Sequence, residues 1–509
     1  MSIKTISIES GKKYLSEVIE FLPSHCLINK GITGCGGTTL ELTCKRNSVI
    51  LVPTKNLVIS KCLNSKNYFG VVGDITKQQI REYANCQIEF KKIIGTYDSL
   101  GKIMDAIPEC TNWFLLIDEY HLLFNDYSFR SSAILGILNN FRRFTNWCFL
   151  TATPLNDKCI LKELEGIDRI EFKWEDATKV NITIRNTPYI QREIINVINS
   201  YPTRNIHIFL NSVGTIKYIV NKLSISDFRV ICSTNQTTRV KNKREITSPI
   251  CKLNFYTSCS FEGVDINDEN GMCVILCDTK IASTVLDIST KIRQICGRIR
   301  NSKYKDECIV ILNTKTHRYL GCSKQTFLDK VNLNEKRGLS RMEVINHETD
   351  EQLTTDLLWF KATPMNYMSI YINQYDTRFF FDENLKKIDI YNYELISEIY
   401  NSTISVLTEY KKQDFNACEY SRSEIFKSDK KGLEWINKII CESNKATWTY
   451  SEIEDVFPSL FKEHYLEWHK KSSIKTFFPE YVKKREIING KRQITYFFPL
   501  VCKTSQNKE

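Results

Sequence analysis

The stretch His25-Cys-Leu-Ile-Asn-Lys30-Gly31-Ile-Thr-Gly34-Cys35-Gly36-Gly37-Thr38-Thr39 leads from an apolar, β-prone segment through a glycine-rich turn into the helix-forming Leu40-Glu-Leu-Thr-Cys-Lys45. Strand, turn and helix start in that order aim backbone N–H groups and a helix N-terminus at one spot, a geometry that holds phosphate. The spacing fits G-x-x-x-x-G-K-[ST] from Gly31 to Thr38 at every fixed position but one: Gly37 stands where the lysine belongs. That lysine ordinarily neutralises the outer phosphates of a nucleotide. Lys30, just before the turn, is the candidate substitute cation, and Thr38 occupies the hydroxyl position that holds magnesium. Alone, such a turn reads equally well as an ordinary tight turn.

The surrounding sequence shifts that balance. Short β-branched runs at His25–Lys30, Val49–Pro53, Phe69–Val72, Lys91–Gly95, Trp113–Asp118 and Trp147–Thr151 alternate with helix-like segments, predicting βαβ units and a parallel sheet. A second series follows at Asn181–Ile184, Ile206–Leu210, Phe228–Cys232, Leu253–Tyr256, Cys273–Leu276 and Cys308–Leu312. The apolar strand ending at Ile117 opens into Asp118-Glu119-Tyr120-His121. Paired carboxylates at a buried strand end suit one acid for Mg²⁺ and another for orienting and deprotonating a water. Leu150-Thr151-Ala-Thr153-Pro154 closes the next strand.

In this order the segments resemble the Walker A loop, DExH box and S/T-A-T motif of superfamily-2 helicases. Leu51-Val-Pro-Thr54-Lys55 is similar to motif Ia, and Gly95-Thr96-Tyr97-Asp98-Ser99-Leu100 to the segment that grips a nucleic-acid backbone. Ile208-Phe-Leu-Asn211-Ser212 resembles motif IV, Tyr256-Thr257-Ser258 through Glu262-Gly263-Val264-Asp265-Ile266 motif V, and Gln294-Ile-Cys-Gly297-Arg298-Ile-Arg300 motif VI. Two departures stand out: the missing lysine, and a second motif VI arginine two residues after the first instead of three. The compact arginine spacing is similar to that of viral and phage origin-binding replication helicases.

The resemblance implies ATP and Mg²⁺ held by Gly31, Gly34, Cys35, Gly36, Gly37, Thr38, Thr39, Lys30 and Asp265, with Thr38 and Asp118 at the metal. It implies Glu119 as the water-positioning base, Arg298 and Arg300 as arginine fingers, His121 and Gln294 as γ-phosphate sensors, and Thr151 and Thr153 as the coupling link. Strand contacts fall to Thr54, Thr96, Asn211 and Thr257. The implied partner is single-stranded or partly duplex nucleic acid, with DNA the favoured strand and replication proteins as associates. A complex-remodelling ATPase that separates no strands, and a silent clamp that has lost its Walker lysine, are the alternatives.

A chain of 509 residues is too long for one core. The expected architecture is α/β, with two tandem RecA-like parallel-sheet lobes at 1–180 and 181–340, a mainly helical accessory region at 341–450 and a winged-helix tip at 451–509. The tip rests on the capping box Ser451-Glu-Ile-Glu454, and on Asn489-Gly490 between two β-prone runs, a hairpin signal. Between Lys470 and Lys503 there are nine basic residues and two acidic ones, which read equally well as a solvated basic surface around a small core or as strand contacts from Lys483, Lys484, Arg485, Lys491 and Arg492. In the accessory region Thr403–Glu409 and Lys431–Ile440 read as helices. Basic residues exceed acidic by 11 overall, and residues 181–340, with 24 against 13, carry an excess of that size. The 19 cysteines contain no C-x-x-C pair and read as core side chains in a reducing cytosol. With no signal-peptide core and no run of 18 apolar residues, the expected location is the cytoplasm, the host's if phage-encoded, with no membrane partner.

Overall fold

The computed structural model describes residues 2–420, 447–463, 482–488 and 491–497, apart from 64, 154, 224–225, 234–239, 241, 264, 315–318 and 320. For 223, 459–463, 482–488, 491–493 and 497 it describes the backbone alone. The first series of apolar runs folds as expected into β2 (Cys26–Asn29), β3 (Ser48–Val52), β4 (Tyr68–Val71), β5 (Lys92–Thr96), β6 (Phe114–Asp118) and β7 (Asn146–Thr151). Two further strands, β1 (Ile3–Ile8) and β8 (Asp168–Trp174), extend the sheet to the order β1-β8-β2-β7-β6-β3-β5-β4. All neighbours run parallel.

Side chains two apart share a face, so each central strand feeds two cores. Val49, Leu51, Ile93, Leu115, Ile117 and Phe149 enter one. Ile50, Val52, Ile94, Leu116, Cys148 and Leu150 enter the other, beneath the helices Gly37–Thr43 and Lys55–Cys62. β1 is largely exposed, and β8 is only partly buried and interrupted by Asp168, Glu171 and Lys173, so neither carries an unbroken apolar run; sheet pairing alone makes them strands.

The second series forms β9 (Asn181–Asn186), β10 (Asn205–Phe209), β11 (Phe228–Ile231), β12 (Leu253–Tyr256), β13 (Gly271–Asp278) and β14 (Glu307–Asn313). After the antiparallel hairpin β15 (Ile372–Tyr375) and β16 (Arg378–Phe381), β17 (Asn416–Glu419) completes a sheet of order β11-β12-β10-β13-β14-β9-β17. Pairings from β11 through β14 are parallel.

The region expected to be helical carries helices at Asp350–Ala362, Glu383–Glu394 and Thr403–Lys412, and a further helix, Lys324–Ile345, begins before it, inside the stretch expected to belong to the second lobe. Phe327, Val331, Phe360, Ile372 and Leu385 join the core of the first sheet, while Tyr400, Val406, Tyr410 and Phe415 join that of the second. Tyr127 Oη donates to Asp382 Oδ2 at 2.8 Å, and Tyr400 Oη to the Leu286 carbonyl at 2.7 Å. This region is therefore a platform bonded to both sheets. The helix read at Lys431–Ile440 lies outside the described residues.

Met1–Ile184 with Arg204–Cys418 forms one compact unit; Arg185–Thr203 with Glu419–Glu509 forms a second. In the second, β18 (Thr447–Thr449), β19 (Val482–Ile488) and β20 (Lys491–Phe497) make an antiparallel sheet in the order β18-β20-β19. Ile488 pairs with Lys491, and the anticipated turn residues Asn489 and Gly490 lie outside the described residues. The capping box is not at Ser451 and Glu454. It is at Thr449 and Glu452: Thr449 N–H donates to Glu452 Oε2 at 2.8 Å, and Glu452 N–H to Thr449 Oγ1 at 3.3 Å. The helix Tyr450–Glu463 starts two residues early because β18 ends there, and it continues through Pro458. Lys483, Lys484, Arg485, Lys491 and Arg492 occupy the hairpin strands, but their side chains fall outside the described part.

Seventeen described cysteines are free, 11 of them buried. Among the described residues no helix is long and apolar enough to cross a membrane.

Candidate nucleotide site

Parallel strands bring their C-terminal ends to one edge of a sheet, where ligands of open α/β folds collect. At that edge of the first sheet β2 runs into the glycine turn, β6 ends in Asp118, and β7 ends in Thr151. The turn delivers Gly36 as N-cap, in left-handed conformation, to the helix Gly37–Thr43. Cys35 is buried and burial pushes its thiol up to about 11, so only its backbone is available to a ligand.

Gly37 has a packing reason. A Cβ there would lie 2.8 Å from Leu150 Cδ2 and 3.4 Å from Lys30 Cδ. The stem of Lys30 thus runs past the place a loop lysine would start from. Its buried ammonium reaches Glu119 Oε1 at 3.3 Å and Asp118 Oδ1 at 3.8 Å. Burial favours the neutral amine, but the charges of Glu119 and Asp118 outweigh it and raise the pKa above the ordinary lysine value.

Thr38 Oγ1 donates to Asp118 Oδ2 at 2.6 Å. Asp118 Oδ1 accepts from the Glu119 N–H at 3.0 Å, and Glu119 itself sits at φ 55°, outside the usual range for a residue with a Cβ. Tyr97, buried, holds this turn by donating to the Asp118 carbonyl at 2.6 Å. Such strain persists where surroundings over-determine it, as at active sites.

Glu119 Oε2 is the hub. It accepts from Gln294 Nε2 at 2.9 Å, across from the second sheet, and lies 3.3 Å from Thr151 Oγ1. His121 Nδ1 is 2.8 Å from Thr151 Oγ1. Burial, aided by Lys291 and Lys30, holds the His121 imidazole down at about 3, so its 3.4 Å approach to Glu119 is a neutral contact. Thr153 N–H donates to Thr151 Oγ1 at 3.1 Å, and Thr153 Oγ1 accepts from Gln294 at 3.4 Å. Every one of these side chains is buried.

Arg298 and Arg300 behave differently. Arg298 is buried and folds back on Gln294, its Nη2 donating to Oε1 at 2.8 Å and its Nε to the carbonyl at 2.9 Å. Arg300 donates through Nε to Asp265 Oδ1 at 2.8 Å, and its guanidinium covers Gly34, where a Cβ would come within 2.9 Å of Nη1. Gly34 has φ 79°, a backbone conformation that a side chain would strain. Asn125 Nδ2 to Thr290 Oγ1 at 2.9 Å, and Lys291 to Asp126 at 3.8 Å, add further bonds between the sheets.

Glu262 was not singled out from the sequence. It is buried, its Oε1 has no hydrogen-bond partner among the described residues, and burial lifts its pKa to about 8 despite Lys291. Between about 4.5 and 8 the folded chain keeps a proton that the unfolded chain has released, so stability falls as pH rises through that window. Glu262→Gln is therefore expected to stabilise the protein by up to about 3 kcal/mol at pH 7 and to do nothing near pH 4. Denaturant unfolding at the two pH values checks this; an equal effect at both would refute it.

The four expected strand contacts lie at C-terminal strand ends, each engaged internally. Thr54 caps the helix Lys55–Cys62 by accepting from Leu57 N–H, and Thr96 pairs with Ser99 at 3.0 Å. Asn211 donates to the Ser283 carbonyl at 3.0 Å, and Thr257 is buried, 3.4 Å from the Ile231 carbonyl. Arg130, which no sequence signal marked, donates to the Pro53 carbonyl and to Asp98, each at 2.9 Å, so it ties together the segments carrying Thr54 and Thr96.

No known family profile and no curated protein matches the sequence. Among solved structures the chain is similar to Dbp5 of S. cerevisiae bound to RNA and ADP BeF3, at 14% identity and a TM-score of 0.40, over 60% of this chain and 82% of that one. The helicase Lhr of Mycobacterium smegmatis, bound to ssDNA and AMP-PNP, gives 14% and 0.39 over 65% and 46%. The E. coli DExH-box NTPase HrpB gives 14% and 0.38 over 61% and 41%.

Proposed function

We propose that this chain is an ATP-driven helicase or translocase of the superfamily-2 type, hydrolysing ATP between its two parallel sheets and moving on nucleic acid. The observation that carries the reading is the bond from Glu119 to Gln294, continued to Arg298, with Arg300 laid over Gly34. Carboxylates at one sheet's strand end are thereby wired to an arginine pair from the other, as phosphoryl transfer controlled by domain closure requires.

In this reading the turn from Gly31 to Thr38, with Thr39 following, cradles the phosphates through backbone N–H groups, and Lys30 takes the charge role of the missing loop lysine. A hydroxyl and one carboxylate, Thr38 and Asp118, suit Mg²⁺, which binds few protein ligands and takes the rest from water and phosphate. When bound, that ion neutralises charge developing on the phosphate oxygens. Glu119 accepts the proton of the attacking water; the water oxygen bonds to the γ-phosphorus as the β–γ bridging bond breaks, leaving ADP and phosphate. Arg300 stabilises the departing charge, while Arg298 positions Gln294. Neutral His121 with Thr151 and Thr153 links the γ-phosphate to the strand edge bearing Thr54, Thr96, Asn211 and Thr257. Asp265 positions Arg300 and faces the nucleotide.

The strand is proposed to be single-stranded or partly duplex DNA, in viral or phage replication, with the basic hairpin of Lys483, Lys484, Arg485, Lys491 and Arg492 as a second contact. Phosphate release with and without single-stranded DNA or RNA tests the reading. Strand-stimulated hydrolysis is expected, and release no greater than that of Glu119→Gln would leave the silent clamp, which the loss of the loop lysine favours.

A further inference from the structure

We propose that Lys61, on the helix Lys55–Cys62, is a second phosphate-binding lysine, sharing with Lys30 the work of the lysine absent at position 37. The proposal rests on the nucleotide reading above and adds to it a residue outside every segment that suggested it.

The helix begins at the C-terminal end of β3, at the ligand edge of the first sheet. Leu57 and Lys61, four residues apart, stand on one helix face. Leu57 fixes where that face looks: it packs so tightly on Gly263 that a Cβ there would fall 2.2 Å from Leu57 Cδ1. Gly263 is flanked by Glu262 and, two residues on, by Asp265, the partner of Arg300. The face bearing Lys61 is thus turned toward the site. Helical side chains also lean toward the helix N-terminus, here the sheet edge carrying the phosphate turn, so the four-carbon stem carries the ammonium that way.

The electrostatics agree with the geometry. Lys61 is half-buried, and burial, its largest influence, lowers its pKa; the charges acting on it are those of Asp118, Lys30, Asp265 and Glu119, all members of the site. Yet it has no hydrogen-bond or ion-pair partner among the described residues. The other cations are engaged: Lys30 by Glu119 and Asp118, Arg300 by Asp265, Arg298 by Gln294. A partly desolvated ammonium without a counter-charge is unfavourable until a ligand supplies one. Lys30 already faces two carboxylates, so the charge of a nucleoside triphosphate needs a cation that those acids have not claimed.

The test is calorimetric binding of Mg²⁺–AMP-PNP and Mg²⁺–ADP to the full chain and to Lys61→Ala, Lys61→Gln and Lys61→Arg. Losing a charged hydrogen bond is expected to weaken AMP-PNP binding about 10–100-fold in the first two. Lys61→Arg should retain most of it, and strand binding without nucleotide should not change. Because no hydrogen bond or ion pair is lost, Lys61→Gln, which keeps most of the stem, should melt no lower than the parent, which separates a binding defect from misfolding. If Lys61→Ala binds AMP-PNP as tightly as the parent, or loses strand affinity instead, the proposal is overturned and the nucleotide site stands. If the parent binds neither nucleotide, the site reading itself fails and takes Lys61 with it.

Discussion

Arg300→Ala is expected to lower strand-stimulated ATP turnover by about 10³–10⁵-fold, the range for removing an arginine finger. The guanidinium of Arg300 covers Gly34 of the phosphate turn and is aimed by Asp265 from the same sheet. A planar fork held at that spot offers paired donors to phosphate oxygens, which a lysine does not reproduce, so Arg300→Lys should recover only a small part of the loss. AMP-PNP binding should change far less than turnover, since charge on the leaving oxygens develops in the transition state. Arg298→Ala should act differently: Arg298 grips Gln294 through both its side-chain oxygen and its carbonyl, so its removal loosens the link to Glu119. Steady-state turnover of the two variants side by side decides the assignment. If Arg300→Ala keeps turnover within about tenfold while Arg298→Ala abolishes it, the finger is Arg298 and Arg300 only braces the turn.

Glu119→Gln should reduce turnover by about 10²–10⁴-fold while nucleotide binding persists. The amide keeps the size of the side chain and one oxygen acceptor, but it cannot take a proton from water. It also removes one of the two charges facing Lys30, leaving Asp118 at 3.8 Å. AMP-PNP affinity should therefore rise modestly, because Lys30 is freer to meet phosphate. Single-turnover phosphate release together with binding checks both parts; unaltered release would place the base elsewhere, and the neutral His121 could not serve, held as it is at about 3.

The central strands were legible because burial on both faces demands unbroken apolar runs, and β2, β3, β5, β6 and β7 have them. β1 and β8, half exposed and charged, owe their existence to each other and to β2, information that no local window holds. The same is true of the capping box. Only the end of β18 sets it at Thr449 and Glu452 instead of at Ser451 and Glu454. The accessory region was opaque because its apolar residues serve two different cores, so no single periodicity runs through it.

At the site, residue types and order in the chain were readable: glycine turn, paired acids, threonines, glutamine and arginines. Their mutual orientation was not. Tyr97 steadies the Asp118–Glu119 turn and Arg130 ties two strand ends, and Glu262 is buried with an oxygen unpaired among the described residues. Local spacing determines which groups share a turn or a helix face, and that is enough to mark a candidate phosphate-binding edge with a missing lysine. Which cation fills the gap is a question of distance between residues far apart in sequence. Only the packing of Gly37 against Leu150 and Lys30, and of Arg300 over Gly34, brings Lys30 and Arg300 to the same edge, where Lys61 is proposed to join them.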